Sequence, residues 1–233
     1  MKISLFGITS LTLGRHNLRD PRMDQADRLV EAQKKTYAQV ELVPEKELVT
    51  ADAILTNRSA LSDLLMKDLE FVETRLGRGP EPAEKVALER LAEALISETP
   101  VGKVNLTAEE WQAIAAHNFL SHKPVIVAEE AELAAPEPLL VRAFAEAGYI
   151  SFLTVGGKEN RAWPIRAGLT AWEAAGTIHT DIQKGFIRAE IIGFADFIAA
   201  GGETEAKRAG KQRLELKTYI VQDYDLTNFR FNK

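Results

Sequence analysis

Between Leu61 and Leu95 the apolar residues recur at steps of three and four. Leu61, Leu65, Leu69, Val72 and Leu76 form one set, Leu88, Leu91 and Leu95 a second, and Gly77-Arg-Gly-Pro-Glu-Pro82 separates them. That spacing places each set on one helical face, and a Gly/Pro break of this length lets the chain double back. The pattern predicts an antiparallel helical hairpin over about 59–98 whose stripes pack on each other. A partner-binding arm is the alternative use of such a hairpin. Its outward charges (Lys67, Asp68, Glu73, Arg75, Glu84, Lys85, Glu89, Arg90) are mixed in sign, as on a solvated surface.

The flanks follow other periods. Lys2 to Ile8 is a short apolar run, Tyr37 to Val43 alternates at period two and stops at Pro44, and Lys123 to Ala128 is a continuous apolar run. All three read as strands, the last buried on both faces. Helical spacing occurs at Asp24 to Gln33 and around Pro138 to Ala147, and the capping box Thr107-Ala-Glu-Glu110 predicts a helix from Ala108 to about His117. After Gly148 the texture changes. Strand-like runs at Tyr149 to Val155, Phe186 to Ile192, Lys217 to Val221 and Asn228 to Phe231 alternate with turns and one short helix. The expected fold class is α/β over residues 1–148 followed by an α+β domain over 149–233.

Composition works here by exclusion. With 45% hydrophobic and 27% charged residues the chain has the balance of a globular protein with a buried core. No apolar run approaches the roughly 20 residues that span a bilayer, and Met1-Lys2-Ile3 has no signal-peptide layout, so the expected location is the cytoplasm, with no membrane partner. Zero cysteines exclude disulfides, thiolate metal sites and cysteine nucleophiles. The net charge of −5 is uneven: residues 149–233 carry 12 Lys/Arg against 10 Asp/Glu, whereas residues 1–148 carry 17 against 24. Any electrostatic attraction to nucleic acid belongs to the C-terminal part, and is modest.

A phosphate-binding loop would sit after the first strand, where G-x-x-x-x-G-K-[ST] wraps backbone amides around phosphates. The residues there are Gly7-Ile-Thr-Ser-Leu-Thr-Leu-Gly14-Arg15. The second glycine comes two places late, no lysine follows it, and His16 stands where a hydroxyl should. Neither G-x-G-x-x-G, G-x-S-x-G nor H-E-x-x-H occurs. His117 and His122 do not share a helical face, and no metal site or cofactor is expected. His179, in Gly176-Thr-Ile-His-Thr-Asp181, admits general-base work or a hydrogen-bonded turn.

Arg161-Ala-Trp-Pro-Ile-Arg166, Ala174 to Asp181, Lys184-Gly-Phe-Ile-Arg-Ala-Glu190, Asp196-Phe197, Gly210-Lys211 and Asn228-Phe-Arg-Phe-Asn232 closely resemble the C-terminal part of the YchF family, the Obg-related ATPases. The resemblance implies a β-grasp-like TGS domain over 149–233 and, before it, a truncated P-loop-like α/β domain carrying the hairpin. It extends forward more faintly, through Asp20 to Asp24, Ala38 to Val43, Asp68 to Leu76 and Lys123 to Ala128. Against the family pattern the phosphate loop is degenerate, the switch segment after Val43 is missing, and Glu129 replaces the base-reading Asn.

The expectation from these departures is a protein that is not an enzyme: a binding module acting through its TGS domain on a ribosome, RNA or translation-factor partner. Arg161, Arg166, His179, Lys184, Arg188 and Arg213 are the candidate contacts. Trp163, Trp172, Phe186 and Phe197 are expected in the core. The alternative is an ATPase or GTPase with an altered loop built from Gly7, Gly14 and Arg15. A small-molecule sensor is a third class. A strand edge left by the missing segment would offer a homodimer surface.

Overall fold

The computed structural model describes residues 1–232. The chain runs β1 (Lys2–Phe6), β2 (Gly14–Asn17), α1 (Pro21–Leu29), β3 (Lys34–Thr36), β4 (Gln39–Val43), β5 (Ala53–Asn57), α2 (Arg58–Leu76), α3 (Pro82–Ile96), α4 (Ala108–Ala113), β6 (Val125–Ala128), α5 (Glu130–Ala134) and α6 (Pro136–Glu146). It continues through β7 (Tyr149–Thr154), β8 (Glu159–Arg166), α7 (Ala171–Ile178), α8 (Thr180–Lys184), β9 (Phe186–Ile192), α9 (Phe194–Ala200), α10 (Glu203–Arg208), β10 (Arg213–Glu215) and β11 (Leu226–Phe231). Two compact units result, and the division is discontinuous: residues 1–15 and 41–139 form the first, residues 16–40 and the chain from 140 onward the second.

In the first unit a five-stranded sheet has the order β2-β4-β1-β5-β6. β1 pairs in parallel with β4 and β5, and β5 with β6; β1, β5 and β6 are largely buried on both faces, whereas β4 keeps its alternation, with Gln39 exposed and Glu41 half-buried. The hairpin forms as the leucine spacing requires. The Asn57 side chain accepts from the Ala60 N–H to start α2, and Leu61, Leu64, Leu65, Leu69 and Val72 pack against Ala87, Leu88, Leu91 and Leu95. Each leucine or valine among them contributes about 1.5–3 kcal/mol on burial.

Two of its supposedly outward charges are buried. Asp68 accepts from the Leu120 and Ser121 amides at 2.7 and 2.8 Å and from the Ser121 hydroxyl at 2.6 Å. Glu84 holds Arg75 at 2.6 and 2.8 Å and the His117 Nε2 at 2.8 Å. Their partners lie far along the sequence, where local charge patterning is blind. The Thr107 capping box is present, but α4 ends at Ala113 instead of reaching His117, and the chain turns so that Ile114 and Phe119 enter the hairpin core.

The second unit is built on a six-stranded mixed sheet of order β10-β9-β11-β7-β8-β3. Within it β7 and β8 form an antiparallel hairpin, α7 and α8 follow, and β9 and β11 return. β11 lies parallel to β7 at Leu226↔Leu153, giving the β-grasp order β8-β7-β11-β9. The face of Phe152, Ile165, Ala189, Ile191 and Phe229 packs against Ala171, Ala174 and Ala175 of α7. Residues 16–40 supply β3 at the edge beside β8, and the buried Asn160 amide donates to Asp27 and to the Val30 carbonyl.

Three sequence expectations need correction here. β8 went unread because Pro164 lies within it; proline removes a ladder donor and argues against a strand. Lys217 to Val221 is no strand: its carbonyls at Lys217 and Tyr219 accept the first amides of α7, and only an isolated bridge joins Ile220 to Thr170. The single short helix expected there is four in this unit's C-terminal part, α7 and α8 around His179, then α9 and α10 split by Gly201 and Gly202, whose φ angles of +82° and +148° suit glycine. Among the described residues no helix is long and apolar enough to cross a membrane.

Candidate functional site

The degenerate loop comes first. Gly7 follows β1 with φ +66°, its carbonyl accepts from the Asn57 side chain at 2.9 Å, and a Cβ on it would lie 2.2 Å from the Ala60 Cβ. Its lack of a side chain therefore serves the packing of α2 against the end of β1. Gly14 and Arg15 lie in β2, with Arg15 exposed. A strand follows β1 where a phosphate loop would lead into a helix. Gly7 and the Gly14-Arg15 pair thus belong to different structural elements.

The six C-terminal candidates scatter over the second unit. Arg161 stands at one end of β8, its guanidinium 3.9 Å from the Trp163 ring centroid and 3.8 Å from Glu159. Arg166, at the other end, lies over the Tyr149 ring at 4.8 Å. Arg188 on β9 donates back to the Ile187 carbonyl at 2.9 Å. Arg213 on β10 bonds Glu215 at 3.0 Å and the Tyr219 hydroxyl at 3.1 Å.

His179 and Lys184 alone are brought together. His179 sits between α7 and α8, where its Nδ1 accepts from the Asp181 amide at 3.0 Å and its side chain stays 62% exposed. That is the hydrogen-bonded turn. Lys184, in the last turn of α8, is exposed and has no ion-pair partner among the described residues. Both line a cavity of about 740 Å³ with Asp181, Ile182, Phe231 and Asn232. Gly185 closes one side: its carbonyl accepts from the Asn232 N–H at 2.9 Å, and a Cβ there would lie 2.0 Å from the Asn232 oxygen. A free ammonium beside a part-exposed phenylalanine suits a ligand with a negative charge and a flat apolar portion.

A second cavity, of about 510 Å³, is lined by carboxylates and by no lysine or arginine among the described residues. Glu190 and Glu203 line it together with Asn228, Ile192 and Phe229. Burial pushes the Glu190 carboxyl up, but hydrogen bonds from Asn228 (2.7 Å) and Arg230 and the Arg230 charge outweigh it and hold the group below the usual carboxylate range. No three His, Asp or Glu side chains converge as a metal site among the described residues.

Sequence reading missed Phe231 and Ile182, which looked like ordinary strand and helix residues; the signal was their proximity to Lys184 and Gly185. It also placed Trp172 in the core. Trp172 is 43% exposed, because α7 buries Ala171, Ala174 and Ala175, a spacing that turns position 172 outward.

Residues 149–232 match the family model YchF-GTPase_C, described as a protein of unknown function (DUF933). The Ribosome-binding ATPase YchF of Haemophilus influenzae is 35% identical over 234 residues, covering 73% of this chain and 64% of that protein. The chain belongs to the YchF family. The Bacillus subtilis Ribosome-binding ATPase YchF is 30% identical over 235 residues with the same coverage, so the chain spans less than two thirds of the length of these YchF relatives. An alignment of 234 residues that uses only 73% of a 233-residue chain must leave gaps in it, so the H. influenzae YchF carries internal sequence with no counterpart here. The Schizosaccharomyces pombe YchF GTPase structure shares the fold, with a TM-score of 0.76 at 18% identity over 99% of this chain and 97% of that one. These relatives overturn the expectation that the protein is not an enzyme: the YchF proteins matched over 73% of the chain are named ATPases.

Proposed function

We propose that this YchF-family protein acts in translation by docking on the ribosome through residues 149–232, a TGS-like module whose working boundary is Gly148. The cavity between α8 and the end of β11 carries this reading. There Lys184 has no ion-pair partner among the described residues and stands beside Phe231, while Arg161, Arg166, Arg188 and Arg213 are each engaged within the protein. The Ribosome-binding ATPase relatives support the choice of partner, and a ribosomal partner places the work in the cytoplasm.

Lys184 supplies a phosphate contact, and Phe231 an apolar platform against a base or a neighbouring protein side chain. The small basic excess of this region implies few phosphate contacts, each adding about 0.7–0.9 to the salt slope of log K. The test is co-sedimentation of the full chain with purified ribosomes across a salt series. Lys184→Glu should weaken association about tenfold or more and flatten the salt slope by about one contact, whereas Arg188→Glu should change it little. Equal binding by Lys184→Glu and the parent protein would overturn the assignment of this cavity.

A further inference from the structure

We infer that β10 is a self-complementary edge through which a second copy of this chain binds, joining two six-stranded sheets across a two-fold axis at Leu214. Among the described residues β10 ends the sheet, with β9 as its one neighbour. The direction of its backbone groups follows from the register. The Leu153 N–H donates to the Asp225 carbonyl, so Asp225 faces β7, and by alternation Leu226 and Asn228 of β11 face β9. Their partners Ile192 and Glu190 face β11, so Ile191 and Ala189 face β10. Arg213 and Glu215, opposite those two, therefore face β9, and the Leu214 N–H and C=O point outward.

Antiparallel pairing of two copies centred on Leu214 lets these outward groups exchange two hydrogen bonds. The same register sets Arg213 of each copy directly opposite Glu215 of the other, on one face. Arg-Leu-Glu is thus charge-complementary to itself when reversed, which an isologous contact requires. In the isolated chain Arg213 and Glu215 hold each other at 3.0 Å, so both are already placed on that face.

Apolar surface continues beside the edge. Leu214 and Leu216 are 59% and 53% exposed, and Trp172 and Ile220 lie on the two segments joined by the Thr170–Ile220 bridge, each 43% exposed. Beyond β10 the open edge of β9 is blocked, because Arg188 donates to the Ile187 carbonyl. The available edge is thus confined to β10 and its continuation.

The test is sedimentation velocity on the full chain from about 1 to about 200 µM, where mass action populates a weak dimer. The parent chain should associate with concentration. Arg213→Glu or Glu215→Arg alone sets like charges opposite each other twice and should weaken association at least about tenfold. The double reversal should restore it to within about threefold of the parent, which also shows that these positions tolerate exchange in a folded chain. A monomer throughout the range, or a dimer indifferent to the single reversals, would overturn the inference. The Lys184 ribosome assay is read separately and does not depend on it.

Discussion

Replacing Asp68 with alanine should release the turn at 120–122 from helix α2. The carboxylate is 2% exposed and Ser121 is fully buried, so the three donors it satisfies have few substitutes. The Leu120 amide is only part-buried and can find water; the Ser121 amide and hydroxyl cannot. A buried donor left without its acceptor costs about 1–3 kcal/mol, so two of them give about 3 kcal/mol after partial relaxation. The Ser121 hydroxyl also accepts from the Val101 amide at 3.0 Å, so its rotation on losing Asp68 disturbs a second segment. Urea unfolding monitored by Trp111, with Trp163 and Trp172 replaced by Phe, reports on the first unit alone. With a slope of about 1–3 kcal/mol/M the midpoint should fall by about 1–3 M. Ser121→Ala should cost less, and the double variant should cost less than the two single losses combined, since both remove the Ser121 hydroxyl–Asp68 bond. A loss below about 1 kcal/mol for Asp68→Ala would refute the reasoning that this carboxylate fastens the turn.

Two further outcomes follow from the same unit. The Glu84 carboxyl, hydrogen-bonded by Arg75 and then His117, is pulled from its ordinary value of 4.5 down to about 2. With a folded-state pKa depressed in this way, its contribution to stability is complete above 4.5 and lost as pH falls through about 2; carbon-detected NMR should place its titration there, and a midpoint near 4.5 would contradict the triad. Gly7→Ala should destabilise the first unit by more than about 1 kcal/mol in the same urea assay, since it combines positive φ with a clash against Ala60, and an unchanged midpoint would show that α2 can shift to accept a methyl group.

How much of this was legible in advance varies by element. Leu61 to Leu95 fixed the hairpin because a 3.6-residue period written in leucine admits few other structures. The apolar runs at β1, β6 and β7 were equally plain, since strands covered on both faces need no polar alternation. β8 was hidden by Pro164. The roles of Asp68 and Glu84 were hidden too, because on a helical wheel a buried carboxylate with distant partners looks the same as a solvated one. At the candidate site, Lys184 and His179 were visible as residue types in a family-like string. Their separation from Arg161, Arg166, Arg188 and Arg213 was not, because position within a sheet depends on strand order.

The sequence by itself determined family membership, the two classes of secondary structure and the absence of cysteine chemistry, all of which depend on local period or residue identity. Tertiary structure alone decided that residues 16–40 join the C-terminal unit, that Gly7 accommodates Ala60, and, among the described residues, that Lys184 has no ion-pair partner and that Arg213 and Glu215 flank an open edge. Each of those facts is a contact or a missing neighbour between residues distant in the chain. Such relations are set by how strands order and register, and single-residue propensities do not encode them.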